Sequence, residues 1–72
     1  MTTLSPHQLA RHSHAEARTL IAEALPAHHL DFVGAYAGCL CWHIFKAGSL
    51  ELAGSLYELP DGTYAVAWKP WS

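Results

Sequence analysis

The sequence is short of charge: Asp, Glu, Lys and Arg make up 14% of its 72 residues, against roughly a quarter in an ordinary globular domain. Only Arg11, Arg18, Lys46 and Lys69 are basic, and with histidine neutral the formal net charge is −2. A nucleic-acid-binding surface needs clustered Lys and Arg to displace counterions from phosphates. These four are scattered, so direct nucleic-acid binding is not expected. Cysteine is scarce too: Cys39 and Cys41 are too few for a disulfide scaffold and too close for an unstrained bridge. Reduced thiols follow. No apolar run reaches the roughly 18 to 20 residues of a membrane-spanning helix, and no membrane partner is expected. A basic segment leading into an apolar one is also missing from the N-terminus, so the expected location is cytoplasmic. Gly34-x-x-x-Gly38 is not followed by Lys-Ser/Thr, which removes the phosphate-binding loop.

What is present is apolar. Hydrophobic residues make up 51% of the chain, and an exposed apolar patch usually marks an interface. A chain this short buries only about 60% of the surface it exposes when unfolded. A metal, a disulfide or a partner subunit is therefore the expected supplement. The chain is organised around Phe32 to Phe45, a run without Asp, Glu, Lys or Arg. At this length it is core rather than a span. The segment from Leu30 to Gly38, which leads into the run and includes its start, reads as strand or helical turn. The second part of the run reads as strand, because turn signals follow at strand-like intervals. Gly48-Ser49 suits the centre of a type II′ turn, and Pro60-Asp61-Gly62 suits a type I turn closed by a left-handed glycine.

Before the run, Met1 to Leu4 is expected to fray. Ser5-Pro6-His7-Gln8 is a capping-box start with proline at the first helical position, and Ser13-His14-Ala15-Glu16 is a second start. Either one helix spans 5–25 or a short turn precedes a main helix from Ser13. Leu9, Ala17, Leu20, Ile21, Ala24 and Leu25 form its apolar stripe. The fold class is therefore α+β in one small domain, with an N-terminal amphipathic helix on a three- to four-stranded antiparallel meander over 39–69.

Counting from the turns pairs Lys46 with Glu51, Phe45 with Leu52, His43 with Gly54 and Cys41 with Leu56, then Leu56 with Val66 and Gly54 with Trp68. Opposed residues share a face. One face then carries Cys39, Cys41, His43, Phe45, Leu52, Leu56, Tyr64, Val66 and Trp68 and meets the helix. The outer face carries Leu40, Trp42, Ile44, Lys46, Glu51, Tyr57, Ala65, Ala67 and Lys69. A bulge at Gly54 would slip this register by one and exchange the faces locally.

Two sites compete. Leu40, Trp42, Ile44 and Tyr57 on the outer face, with Trp71 nearby and Lys46, Glu51 and Lys69 as a polar rim, have the composition of a protein interface. Their competing role is simple burial beneath 30–38. Cys39-x-Cys41-x-His43 holds zinc-type ligands, with His28-His29 or His12-x-His14 as the second pair, but its spacing is tighter than structural zinc sites use. Cys41 and His43 are strand neighbours with no third orienting group, so no catalytic residue and no cofactor are expected. The expected function is a non-catalytic module that occupies a surface on another protein or forms a homodimer. A metal-stabilised protein using Cys39, Cys41 and His43 is the alternative. In size, acidity and lack of a catalytic signature the chain resembles the small inhibitor and adaptor proteins of phages and mobile elements, anti-CRISPR proteins among them. That likeness implies steric inhibition and covers no defined motif.

Overall fold

The computed structural model describes residues 5–70. The expected fraying of Met1 to Leu4, and Trp71, lie outside them. Both capping boxes form, and a helix starts at each. The first stops after a single turn, a 3-10 segment at Pro6–Gln8. The second opens α1, His14–Ala24. Ser13 Oγ accepts the Glu16 N–H at 3.1 Å, and Glu16 Oε1 accepts the Ser13 N–H at 2.8 Å. Of the two arrangements open for 5–25, the short turn before a main helix is the one found.

Four strands follow, β1 (His28–Tyr36), β2 (Cys39–Lys46), β3 (Leu52–Glu58) and β4 (Tyr64–Trp68), in the sheet order β1-β2-β3-β4. All neighbours are antiparallel. The segment left open between strand and helix is therefore strand, and the sheet has four members. Ala37 and Gly38, both with positive φ (54° and 81°), join β1 to β2 as the two central residues of a hairpin turn. Positive φ at both positions is what a type I′ turn requires. The Pro60-Asp61-Gly62 turn forms as expected. Gly62 N–H donates to Leu59 O at 3.0 Å, Leu59 N–H donates to Thr63 O at 2.8 Å, and Gly62 has φ 87°. The turn after β2 closes one residue earlier than expected. Ser49 N–H donates to Lys46 O at 3.1 Å, which centres the turn on Ala47-Gly48 rather than Gly48-Ser49.

The β3–β4 register matches the turn count, with Leu56 opposite Val66 and Gly54 opposite Trp68. The β2–β3 register starts as expected at Phe45–Leu52 and then slips. Ile44 opposes Gly54, leaving Ala53 as an extra residue, and Cys41 meets Tyr57 instead of Leu56. Side chains alternate with a period of two, so a one-residue bulge exchanges the face of everything beyond it. The face assignment of β2 is thereby corrected. Trp42 and Ile44 lie with Leu56, Val66 and Trp68 beneath Ala17 and Ile21 of α1. Cys39 and Cys41 lie on the opposite face with Tyr57, Ala65 and Ala67.

That opposite face is covered as well. Buried Pro6 and partly buried Leu9 belong to the segment preceding α1, and Leu9 packs on the Cys39, Cys41 and Tyr57 cluster. His7 Nε2 lies 2.9 Å from Ala37 O in the β1–β2 turn, and Arg11 Nη1 lies 2.8 Å from Asp61 Oδ2 in the β3–β4 turn. The segment is thus tied at both turns. His12 then pairs with Tyr64, exchanging two N–H···O bonds of 2.8 Å, as the chain rounds the β4 edge to begin α1.

Two substitutions test this geometry. A Cβ on Gly54 collides with Ala67 O and sits 3.0 Å from Trp68 Cε3, so Gly54→Ala is expected to lose about 1 to 3 kcal/mol. Ala37 is held at φ 54°, a conformation that disfavours a Cβ, so Ala37→Gly is expected to gain up to about 1 kcal/mol. Urea denaturation of the two variants reads both signs.

Candidate interaction surface

The two covers leave part of the sheet bare. α1 makes its main strand contacts with β4, and the segment from Pro6 to Arg11 crosses the turn end of the opposite face, from the β1–β2 turn to the β3–β4 turn, so that most of β1 lies outside both. β1 is an edge strand, partly or fully exposed along its whole length. On the α1 side, Leu30, Phe32 and Leu40 are exposed, Phe32 by 55%. The Phe32 ring meets half-buried Trp42 edge-on at 5.4 Å. A groove of about 690 Å³ runs from this patch along α1, between Ala17 and Ile21 above and Leu30, Leu56 and Tyr64 below. On the other side, Tyr36 is 50% exposed with its ring 6.2 Å from Tyr57. An open recess of about 310 Å³ lies there over Gly34, Tyr36, Cys41, His43, Ser55 and Tyr57.

The expected interface cluster is therefore dispersed rather than assembled. Leu40 is exposed and Trp42 half-buried on the α1 side. Ile44 is 0% exposed under α1, and Tyr57 is 9% exposed on the opposite face. Lys69 is exposed beyond the end of β4, and Trp71 lies outside the described residues. Lys46 and Glu51 do pair, at 3.0 Å. Ile44 and Tyr57 fill the core because the bulge at Ala53 puts them on different faces and each face has its own cover. The exposed apolar residues are instead Leu30 and Phe32 beside Leu40 on the α1 side, Tyr36 on the other face and Val33 at the β1 bulge. The uninterrupted apolar run carried that signal, but the turn count stopped short of β1.

The thiol site is core as well. Cys39 and Cys41 are free and buried, and desolvation, helped by the neighbouring Cys39, pushes the Cys41 thiol above its ordinary range. Cys39 Sγ lies 3.7 Å from His7 Nε2, but the same nitrogen also faces Ala37 O at 2.9 Å. A thiol held neutral and out of water is a poor nucleophile and a poor ligand. Among the described residues no group of three or more His, Cys, Asp or Glu side chains is arranged to hold a metal ion. Cys39, Cys41 and His43 therefore do not converge as ligands. Likewise, among the described residues no helix is long and apolar enough to cross a membrane.

Comparison with protein-family models, curated proteins and solved structures finds no match for the chain.

Burial also sets a pH dependence. Desolvation raises the Tyr57 phenol as it raises the Cys41 thiol. A group whose folded pKa is raised keeps its full stabilising effect below its unfolded value. It loses that effect as pH climbs toward the folded value. Stability is therefore expected to fall from about pH 8.5 upward, and Tyr57→Phe is expected to flatten the part of that fall due to the phenol. Chemical denaturation across the alkaline range measures it, and thiol titration at neutral pH should find both cysteines slow until the protein unfolds.

Proposed function

We propose that the protein is a non-catalytic binding module that presents the β1–β2 hairpin to the surface of another protein chain and works by occupying it, as an inhibitor or adaptor does. The observation that carries this reading is the uncovered apolar wing, in which Leu30, Phe32, Val33, Tyr36 and Leu40 all stand in solvent on adjacent strands. Natural sheets usually blunt an edge strand with charge, proline, a bulge or a covering segment, and the β1 bulge comes only at Val33, after Leu30 and Phe32. In β1 the only acidic or basic residue besides histidine is Asp31, and proline is absent. Desolvating such a patch supplies affinity without chemistry. The weakly charged surface supports a protein partner over a nucleic acid.

The test is affinity capture from lysate of the source organism with wild-type protein and with Phe32→Glu/Leu40→Glu. Both side chains lie on the α1 side outside the two buried clusters, so the variant should keep its circular dichroism spectrum and its melt. Proteins retained by the wild type are expected to be lost from the variant by tenfold or more. An unchanged retained set overturns the reading.

A further inference from the structure

The β1 edge has a polarity that its side chains do not reveal. Ala47 N–H donates to Ala27 O at 3.0 Å, which puts Ala27 and Ala47 at a hydrogen-bonding position just before the β1–β2 ladder. In an antiparallel ladder such pairs alternate with non-bonded ones. His29–Phe45 and Asp31–His43 are then bonded pairs, whereas His28, Leu30 and Phe32 turn their peptide groups away from β2. Beyond Phe32 the ladder shifts, with Val33 as the extra residue before Gly34–Cys41, and the bulge ends the even outward row. A strand added to this edge therefore has His28, Leu30 and Phe32 to bond with.

A second β1 satisfies that row. When two copies run antiparallel about a two-fold axis, three registers bring two or more outward pairs into opposition, with the axis at His29, at Leu30 or at Asp31. The Asp31 axis opposes two aspartates. The His29 axis opposes two histidines and leaves Phe32 without a bonded partner. The Leu30 axis uses the whole row, with Leu30 against Leu30 and His28 against Phe32 at both ends. It also sets His29 of each copy directly opposite Asp31 of the other, twice, by symmetry. Opposed residues share a face. The His29 and Asp31 pairs therefore lie on the face away from α1, where each His29 ring is already stacked on Phe45 at 5.3 Å. Leu30 and Phe32 of both copies form one apolar stripe on the other face, between the two α1 helices.

Resting on the binding role proposed above, we infer that the occupant of this edge is a second copy of the chain, joined β1 to β1 about Leu30 into one continuous antiparallel sheet and held in register by reciprocal His29–Asp31 pairs. The two-fold makes the interface self-complementary, as closed dimers require. The bulge at Val33 stops the ladder before it reaches the hairpin turn.

Sedimentation over a concentration series up to about 1 mM tests the inference. Wild-type protein is expected at twice the 7.9 kDa monomer mass. His29→Asp opposes two carboxylates at each pair and is expected to weaken the dimer at least tenfold. The exchange His29→Asp/Asp31→His is expected to restore it. Leu30→Pro removes an outward N–H while sparing the bonds to β2, and is expected to be monomeric. If that variant fails to fold, as judged by circular dichroism, the exchange pair decides alone. A wild type that stays monomeric, a dimer indifferent to His29→Asp, or an exchange that restores nothing overturns the inference. Should the wild type be monomeric while Phe32→Glu/Leu40→Glu still abolishes capture of other proteins, the inference fails and the binding role stands. Should the exchange behave as expected while capture is unaffected by Phe32→Glu/Leu40→Glu, the dimer stands and the role toward other proteins fails.

Discussion

A four-stranded sheet with apolar residues on both faces needs two covers, and this short chain has little from which to make them. That constraint shapes the rest of the molecule. α1 lays Ala17 and Ile21 on Ile44 and Leu56. The segment around Pro6 and Leu9, which holds only a single helical turn, packs on the Cys39, Cys41 and Tyr57 cluster on the reverse. One stretch of chain serves both faces because it crosses the β4 edge at His12, where pairing with Tyr64 satisfies backbone groups that would otherwise face water. α1 therefore lies to the β4 side and the reverse cover runs along the turn end of the sheet, which leaves most of β1 uncovered.

The small residues in the sheet follow from the same shortage. A single turn of helix and a few flanking residues cannot fill a deep layer. The face they cover is built from Ala65, Ala67 and two cysteines, with Tyr57 as its largest member. Gly54 does comparable work on the α1 side, where its missing side chain admits Trp68. Cysteine here is a compact apolar filler. In that role Cys39 Sγ faces the Ala37 carbonyl and the His7 ring, and among the described residues no group of three possible ligands forms around the two thiols.

Function, on this view, is located by what folding leaves undone. A buried apolar side chain has already released its hydration free energy, and an exposed one on a paired strand has not. Ile44 and Tyr57 are of the first kind. Phe32, Tyr36 and Leu40 are of the second, and they sit together on one wing. The adjoining edge adds directionality, since peptide groups on an open strand accept only a partner running in a compatible register.

Much of the architecture was legible from local signals. The capping boxes at Ser5 and Ser13 and the Pro60-Asp61-Gly62 turn depend on residues within a few positions of one another, where backbone sterics and short hydrogen bonds decide the outcome, and the pairing of β3 with β4, with Gly54 opposite Trp68, follows from counting outward from that turn. The strand at 28–36 was not legible, because an apolar run of that length satisfies both periods until a neighbouring strand claims it. The register of β2 was not legible either. A single extra residue at Ala53 is stabilised by what the whole sheet packs against, and it reverses which side chains face α1. So the surplus of apolar surface was determined by composition, whereas its position on the β1 wing was decided by the tertiary fold, because only packing distinguishes a side chain that has found cover from one that has not.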